Sequence, residues 1–254
     1  MAWLDAHAAF NPDHHPAPVI GIAATLGDHD SGFHQHQRGQ LLFTHQGCTR
    51  ITLAQHLCLL PPSRAAWIPS GIAHRAVMQQ TVDYRSIYLS PALSAELPQQ
   101  VCVIEVSPLL RAVLEPIATA DFDTDWRQGK FVHLLGLCLS EIHDAAQQPM
   151  LLPLPQDRRL KPLLAIPEQL PPTVQALERQ IGASSRTLGR IFQRETGMSY
   201  QQWRQQWRLM RAMELLATGR SLSYSAFELG FSSDSAFIAF FKDMTGTTPG
   251  AWLK

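Results

Sequence analysis

Two stretches of this chain spell one pattern, and a duplicated pattern constrains the local fold twice. Ile181-Gly182-Ala183-Ser184-Ser185 corresponds to Leu229-Gly230-Phe231-Ser232-Ser233, Thr196-Gly197 to Thr245-Gly246, and Trp203 to Trp252. The offset is 48 residues at the glycines (182 to 230) and 49 at the tryptophans (203 to 252). In the second copy, residues 223–230 read as a short helix, with Ser223 as cap and Gly230 as the left-handed stop. A second helix is expected over 234–245. Its Phe237, Phe240, Phe241 and Met244 recur at helical spacing as one apolar stripe. Ser235, Ile238, Ala239 and Lys242 share another face that is small or basic and carries no acid; Asp234 reads as a cap. In the first copy Leu188, Ile191 and Phe192 form the core side, and Arg186, Gly189, Arg190 and Gln193 the opposite one. Such a face is either a solvated basic surface or a reader of the DNA major groove. Arginine pairs bidentately with guanine and glutamine with adenine. Gly189 costs about 1 kcal/mol against alanine in a helix, and its use would be to let the backbone approach the bases. Ser185, Arg194 and Ser233 complete the expected contact set. Residues 198–217 lack Pro and Gly and end at Thr218-Gly219, so they read as a rigid helical spacer that sets the two reading helices about 34 Å apart along one side of a duplex.

Gly230-Phe231-Ser232-Ser233, Phe237, Phe240-Phe241-Lys242, Gly246 and Thr248-Pro249 resemble the signature of AraC/XylS-type transcription regulators. Arg186-Thr187-Leu188, Arg190-Ile191-Phe192 and Glu195-Thr196-Gly197 are equally typical in the first copy. The resemblance implies double-stranded DNA as partner, a small-molecule effector, and an action on RNA polymerase recruitment or access. Ser225 departs from it, since the family usually places an aliphatic residue there.

Charge divides the chain in the same sense. Formal net charge is zero, yet residues 1–155 hold 8 Lys/Arg against 13 Asp/Glu, and residues 156–254 hold 13 against 8. A basic C-terminal half suits a polyanion. Residues 1–18, with His7, His14 and His15, read as a flexible arm. Residues 19–98 read as a small barrel or jelly roll, with strands at 19–25, 40–44, 50–53, 65–68, 73–78 and 84–89. Within it, strand alternation directs His34 and His36 to one face, and His74 from a neighbouring strand converges on them. Three imidazoles suit a divalent transition metal; equally, they suit the hydrogen-bonded lining of a ligand pocket. The order Gly27, His34, His36, Gln40, Gly47, then Pro69, Gly71, His74 resembles both cupin motifs. Gln40 stands where metal-binding cupins carry Glu, and the Asn expected after His74 is absent. His36-Gln37-Arg38-Gly39-Gln40-Leu41-Leu42-Phe43, Trp67-Ile68-Pro69 and Glu105-Val106-Ser107-Pro108-Leu109 resemble family members with a cupin-like sensor. Some of those control a neighbouring efflux transporter and respond to nitroimidazole-like drugs, so the resemblance implies regulation of a nearby transporter or detoxification gene.

After residue 98 the pattern turns helical. Ser107 caps an expected helix over 108–118, and a longer one is expected over 126–147. Phe131, Leu134, Leu135, Cys138 and Ile142 form its apolar stripe. That stripe packs either on its own barrel or against a second copy; the second reading, which the family resemblance also implies, is the one expected, as a dimerisation segment over 99–148. The Pro-rich stretch 149–156 reads as a linker. Residues 157–254 then form the DNA-binding domain, opened by a helix over 157–169. The fold class is α+β: a cupin-like barrel with following helices, then an all-α domain with two helix-turn-helix motifs joined by a long helix. No apolar run reaches membrane-spanning length and no leader is legible, so the expected compartment is the cytoplasm. Cys48, Cys58, Cys102 and Cys138 contain no CxxC and read as buried thiols. Two other readings stand beside the regulator: a metal-dependent cupin enzyme, or a thiol redox sensor, fused to a DNA-binding domain.

Overall fold

The computed structural model describes residues 3–5, 8, 10–148, 150–164 and 169–252. It contains two compact units, Met1–Ala54 with Cys58–Leu151, and Gln55–Leu57 with Leu152–Lys254. The division falls inside the Pro-rich stretch. Among the described residues no helix is long and apolar enough to cross a membrane.

The N-terminal unit is built on β1 (Val19–Leu26), β2 (His29–Asp30), β3 (Gly39–Gln46), β4 (Thr49–Leu53), β5 (His56–Leu60), β6 (Arg64–Ile68), β7 (His74–Met78) and β8 (Val82–Leu89). After these come α1 (Pro91–Ser94), β9 (Cys102–Glu105), α2 (Pro108–Ala118), α3 (Gly129–Asp144) and β10 (Gln147–Gln148). One sheet runs β1-β8-β3-β6-β9-β10, and the other contains β5-β4-β7-β2 in that order. Strand alternation splits the apolar residues of the first sheet between two cores. Ile20, Ile22, Leu42, Ala66, Ile68 and Val103 face the barrel interior. Leu41, Phe43, Ala65, Trp67, Ile87 and Ile104 face α2 and α3. Because both faces are covered, β1 and β3 are buried over nearly their whole length.

Helix α2 starts where its cap requires. The Ser107 hydroxyl accepts from the Leu110 amide at 3.0 Å, and Pro108 fills the first turn. An ion-pair network ties this helix to β8. The buried Arg85 guanidinium donates to Glu115 at 3.0 and 3.1 Å and to Asp83 at 2.5 Å, and His45 lies 2.6 Å from Glu115. Burial opposes ionisation of Glu115, but the hydrogen bonds from Arg85 and His45 outweigh it and hold the carboxyl below its ordinary value. Its stabilising effect is therefore complete above the ordinary value and is lost as pH falls through the lowered folded value. Glu115→Gln should cost about 1 kcal/mol at pH 7 after allowance for its partial exposure, read from the urea midpoint. The gap to wild type should narrow as pH falls below the ordinary carboxyl value; a gap that does not narrow on acidification would show that the ion pair does not contribute.

Three expectations for this unit need correction. Residues 99–148 are not wholly helical, since β9 pairs with β6 and β10 with β9, continuing the barrel sheet. The stripe Phe131, Leu134, Leu135, Cys138 and Ile142 is not open to a second copy. Leu135, Cys138 and Ile142 are buried in this chain's own core, and Phe131 and Leu134 pack against it. Nor is the described part of the N-terminal arm loose. The Leu4 amide donates to Ala23 at 2.9 Å, Asn11 caps a 3₁₀ turn over Pro12–His14, and the Arg38 guanidinium donates to the carbonyls of His15 and Ala17. His7 lies outside the described residues.

The chain passes through β11 (Leu151–Pro153), then a 3₁₀ turn over Arg158–Leu160 that runs into α4 (Lys161–Leu164). The rest of the helix expected to 169 falls largely outside the described residues. Next come α5 (Val174–Ile181), α6 (Ser185–Thr196), α7 (Tyr200–Ala217), α8 (Leu222–Glu228), α9 (Asp234–Thr245) and α10 (Pro249–Trp252). Thr173, Ser184 and Ser199 cap α5, α6 and α7, and Gln202 completes a capping box on the last. Gly182, Gly197, Gly230 and Gly246 take left-handed φ after their helices, so the duplication is also one of caps and stops. Helix α8 is capped by Ser221, not by Ser223: the Ser221 hydroxyl accepts from the Tyr224 amide. Ser225 is fully buried and returns its hydroxyl to the Ser221 carbonyl at 3.0 Å, which satisfies the polar atom inside the motif.

Candidate ligand pocket and nucleic-acid interface

The pocket begins with a backbone pairing. His34 and His74 form an isolated antiparallel bridge, each amide donating to the other's carbonyl at 3.0 and 2.9 Å. Directly opposed residues project to the same face, and His36 follows two residues on. Ring centroids lie 4.3 Å apart for His34–His74, 5.2 Å for His36–His74 and 6.1 Å for His34–His36. One ring nitrogen from each lies within 4.8 Å of the others. The Gln40 carboxamide oxygen is 3.2 Å from His36 Nε2. Its Nε2 group faces Ser86 Oγ at 2.8 Å, Tyr88 Oη at 3.2 Å and Tyr84 Oη at 3.3 Å.

These groups form the polar end of a cavity of about 470 Å³. Its apolar wall includes Ile22, Leu42, Ala76 and Met78, and Leu4, Phe10 and Pro12 close on it from the N-terminal segment. Burial pushes the His74 imidazole down to about 4, and it lowers His36 against hydrogen bonds to Gln40 and Arg38. Burial also raises the Tyr88 phenol to about 12 and Tyr84 well above its ordinary value. The buried part of the polar end thus consists of two imidazoles, His36 and His74, that burial keeps neutral, with the Tyr84 and Tyr88 phenols and the Gln40 amide. The sequence reading missed Tyr84, Ser86 and Tyr88, although Tyr84-x-Ser86-x-Tyr88 alternates along β8 and signals one shared face. It also missed the part played by Phe10.

The four cysteines form no disulfide among the described residues and are buried. Burial pushes the Cys58 and Cys138 thiols up to about 12 and raises Cys102. A redox sensor needs an accessible thiolate, and these environments disfavour one.

In the C-terminal unit, α6 and α9 place the expected reading residues unevenly. Ser185, Arg186, Arg190, Gln193 and Arg194 are exposed, and Gly189 is half-buried. A Cβ on Gly189 would meet no atom within 4 Å, so nothing in the folded chain demands glycine there. Two members of the set are already engaged: the Gln193 amide donates to the Gly197 carbonyl at 3.1 Å, and Arg194 pairs with Glu195 at 2.5 Å. The Ser185 amide donates to Glu178. On α9, Ser235, Ala239 and Lys242 are exposed and Ile238 is half-buried. Ser233 is the cap, its hydroxyl accepting from the Ala236 amide at 3.2 Å, while Asp234 accepts from the Ser223 hydroxyl at 2.6 Å. The cap role expected of Asp234 therefore belongs to its neighbour.

One positioning residue was not legible beforehand. Arg208 on α7 donates to the Leu229 carbonyl at 3.1 and 2.6 Å and to the Gly230 carbonyl at 3.2 Å. Its guanidinium lies 4.2 Å over the Phe231 ring. It clamps the turn between α8 and α9 to the long helix and so sets the direction in which α9 leaves that turn.

The model of the AraC-like ligand binding domain matches residues 16–135, and that of a helix-turn-helix domain matches residues 177–254. Over 249 residues the chain is 28% identical to the HTH-type transcriptional regulator NimR of Escherichia coli (strain K12), spanning 96% of this chain and 90% of that one. It is 32% identical over 117 residues to the HTH-type transcriptional regulator RipA of Corynebacterium diphtheriae, 45% of this chain and 35% of that one. A crystal structure of apo ToxT from Vibrio cholerae aligns over 94% of this chain and 98% of its own, at 12% identity and a TM-score of 0.40.

Proposed function

The chain belongs to the AraC family of transcription regulators, and from that premise we propose how it divides its two tasks. As a member it joins a ligand-binding domain to a helix-turn-helix domain that binds DNA, and it is not an enzyme. The barrel cavity takes the effector, a small molecule with an apolar body and one polar end that meets the imidazoles and Gln40. Binding changes RNA polymerase recruitment or access at a gene for transport or detoxification, in the cytoplasm.

Base discrimination is concentrated in α6. The observation that carries this is the contrast in side chains: Arg186 and Arg190 stand exposed on α6, whereas α9 offers only Ser235, Ile238, Ala239 and Lys242. Each bidentate arginine–guanine pair is worth about 1–3 kcal/mol of discrimination, and methyl contacts give less. Gly189 serves close backbone approach to the duplex. Gln193 joins the readout only by leaving the Gly197 carbonyl. The test is a selection from randomised DNA at fixed salt, run on wild type, Arg190→Ala and Lys242→Ala. Arg190→Ala should relax preference at one guanine. Lys242→Ala should weaken all sequences alike and flatten the salt dependence, as loss of a phosphate contact does. If the site's information sits mainly in the half read by α9, the assignment is wrong.

The regulator acts as a homodimer through the outer face of α3, where Val132 and Leu137 are 40% and 45% exposed beside Gly136. Leu137→Glu should convert dimer to monomer in sedimentation, and an unchanged dimer would rule this face out.

A further inference from the structure

Three side chains in one row along α7 reach main-chain carbonyls of both helix-turn-helix motifs. Tyr200, Arg204 and Arg208 recur every four residues, so they share a face of the helix. The Tyr200 hydroxyl donates to the Pro172 carbonyl at 2.6 Å, and Arg204 Nε donates to the Pro171 carbonyl at 2.6 Å. Those prolines lead into Thr173, the cap of α5. Leu177 of α5 shares a core with Leu188 and Ile191 of α6, so α6 follows α5. At the other end of the row, Arg208 donates to the Leu229 and Gly230 carbonyls in the turn of the second motif. Its guanidinium faces the Phe231 ring at 4.2 Å and that of Phe240, on α9, at 6.0 Å. The two ends also meet. A Cβ on Gly230 would lie 3.6 Å from Leu170 Cδ2 and 3.7 Å from Arg208 Nη2, so the segment before the first motif lies against the turn of the second. Among the described residues neither Arg204 nor Arg208 has a carboxylate partner. Burial, and then the charge of Arg204, hold Arg208 below its ordinary value. Like charges one turn apart repel, so what the two arginines supply is the fixed direction of their donors.

We propose that Tyr200, Arg204 and Arg208 are positioning residues that lock the two motifs to one another, and that this lock sets the base-pair spacing the regulator accepts. The row holds the entry to α5 at one end and the turn into α9 at the other, both against the same helix. The angle between α6 and α9 is then fixed before DNA is met, and no ordering cost for it falls on binding. One added base pair between the two contacted segments moves the second by about 3.4 Å along the axis and turns it by about 35°. A locked pair of motifs cannot follow that step, whereas a loosened pair can. The consequence for DNA rests on the reading that α6 and α9 both engage the duplex; the lock itself does not.

The test uses full-length protein and the duplex that wild type selects from randomised DNA, with one or two base pairs inserted between the segments contacted by the two motifs. Wild type should lose at least about fivefold in affinity at the first insertion, the equivalent of one misplaced base contact. Arg208→Lys keeps the charge but not the planar fork. It should bind the original duplex more weakly, be penalised less by the insertion, and keep its base preference in the segment read by α6. Arg204→Ala should behave in the same way. An insertion penalty as steep in both variants as in wild type overturns the proposal. The lock is also read without DNA. Nitroxides at Gln193→Cys on α6 and Asp243→Cys on α9, both exposed while the native cysteines are buried, should report one narrow separation. Adding Arg208→Lys should broaden or split it with an unchanged circular dichroism spectrum. Separations that stay narrow and unshifted with Arg208→Lys and with Arg204→Ala overturn the lock whatever the DNA shows. Indifference of wild type to the insertion refutes engagement by α9 instead, and the nitroxide separations then decide the lock alone.

Discussion

Trp203→Ala should remove about 3–5 kcal/mol from the C-terminal unit. Trp203 is fully buried in the first turn of α7, with ring centroids 5.3 Å from Phe192 and 5.1 Å from Trp207. Around it pack Leu160, Leu177, Leu188 and Ile191, so the indole joins α7 to α5, α6 and the start of the unit. Its Nε1–H also donates to the Pro153 carbonyl at 2.7 Å. Alanine leaves a large cavity and an unpaired carbonyl together. Urea unfolding followed by far-ultraviolet circular dichroism should show the lower midpoint. Trp203→Phe keeps most of the packing, loses the hydrogen bond, and should fall between the two. Because α7 carries the anchors of both helix-turn-helix motifs, Trp203→Ala should weaken DNA binding without changing which bases are preferred. A loss below about 1 kcal/mol, or a changed base preference, would show that the indole is not the joint described.

The legible parts of this fold are those where one local cause suffices. Helices α2 and α9 start and stop where Ser107 and a left-handed Gly246 dictate, and the copied caps made the second motif readable from the first. The strands β2, β5 and β9 were not legible. The first has two residues, and the others are short runs whose burial comes from contacts far along the chain. Ser221 and Ser223 offer the same capping chemistry two residues apart, and only the packed turn decides between them. The stripe on α3 marks a buried face truthfully, but helical periodicity does not say what covers it. At the pocket, alternation and spacing brought His34, His36 and His74 forward. The carbonyls that orient their rings are backbone atoms and leave no trace in residue identity. Arg208 is likewise an ordinary helix residue until the turn at Leu229 lies beneath it.

Gly21→Ala should be the most damaging small substitution in the N-terminal unit. Gly21 lies in β1, between Ile20 and Ile22, which face the barrel interior, and its own α-carbon faces α2. A Cβ there would sit 2.2 Å from the Ile117 carbonyl oxygen and 2.6 Å from the backbone of Ala118. These are main-chain atoms at the end of a helix, so no rotamer change relieves the clash. Helix α2 would have to lift from the sheet, opening the core formed by Leu110, Val113, Leu114 and Ile117 against Leu41, Ile87 and Leu89 and stretching the Arg85–Glu115 contact. Overpacking of this kind costs about 1–3 kcal/mol where side chains can move, and the rigid backbone puts Gly21→Ala at or above the upper end. Gly27→Ala is the matched control in the same unit. Its Cβ would meet Thr81 Oγ1 at 3.5 Å, an ordinary contact, and its urea midpoint should stay within about 0.5 kcal/mol of wild type. If the two variants unfold at the same denaturant concentration, α2 does not rest on β1 as closely as the packing requires.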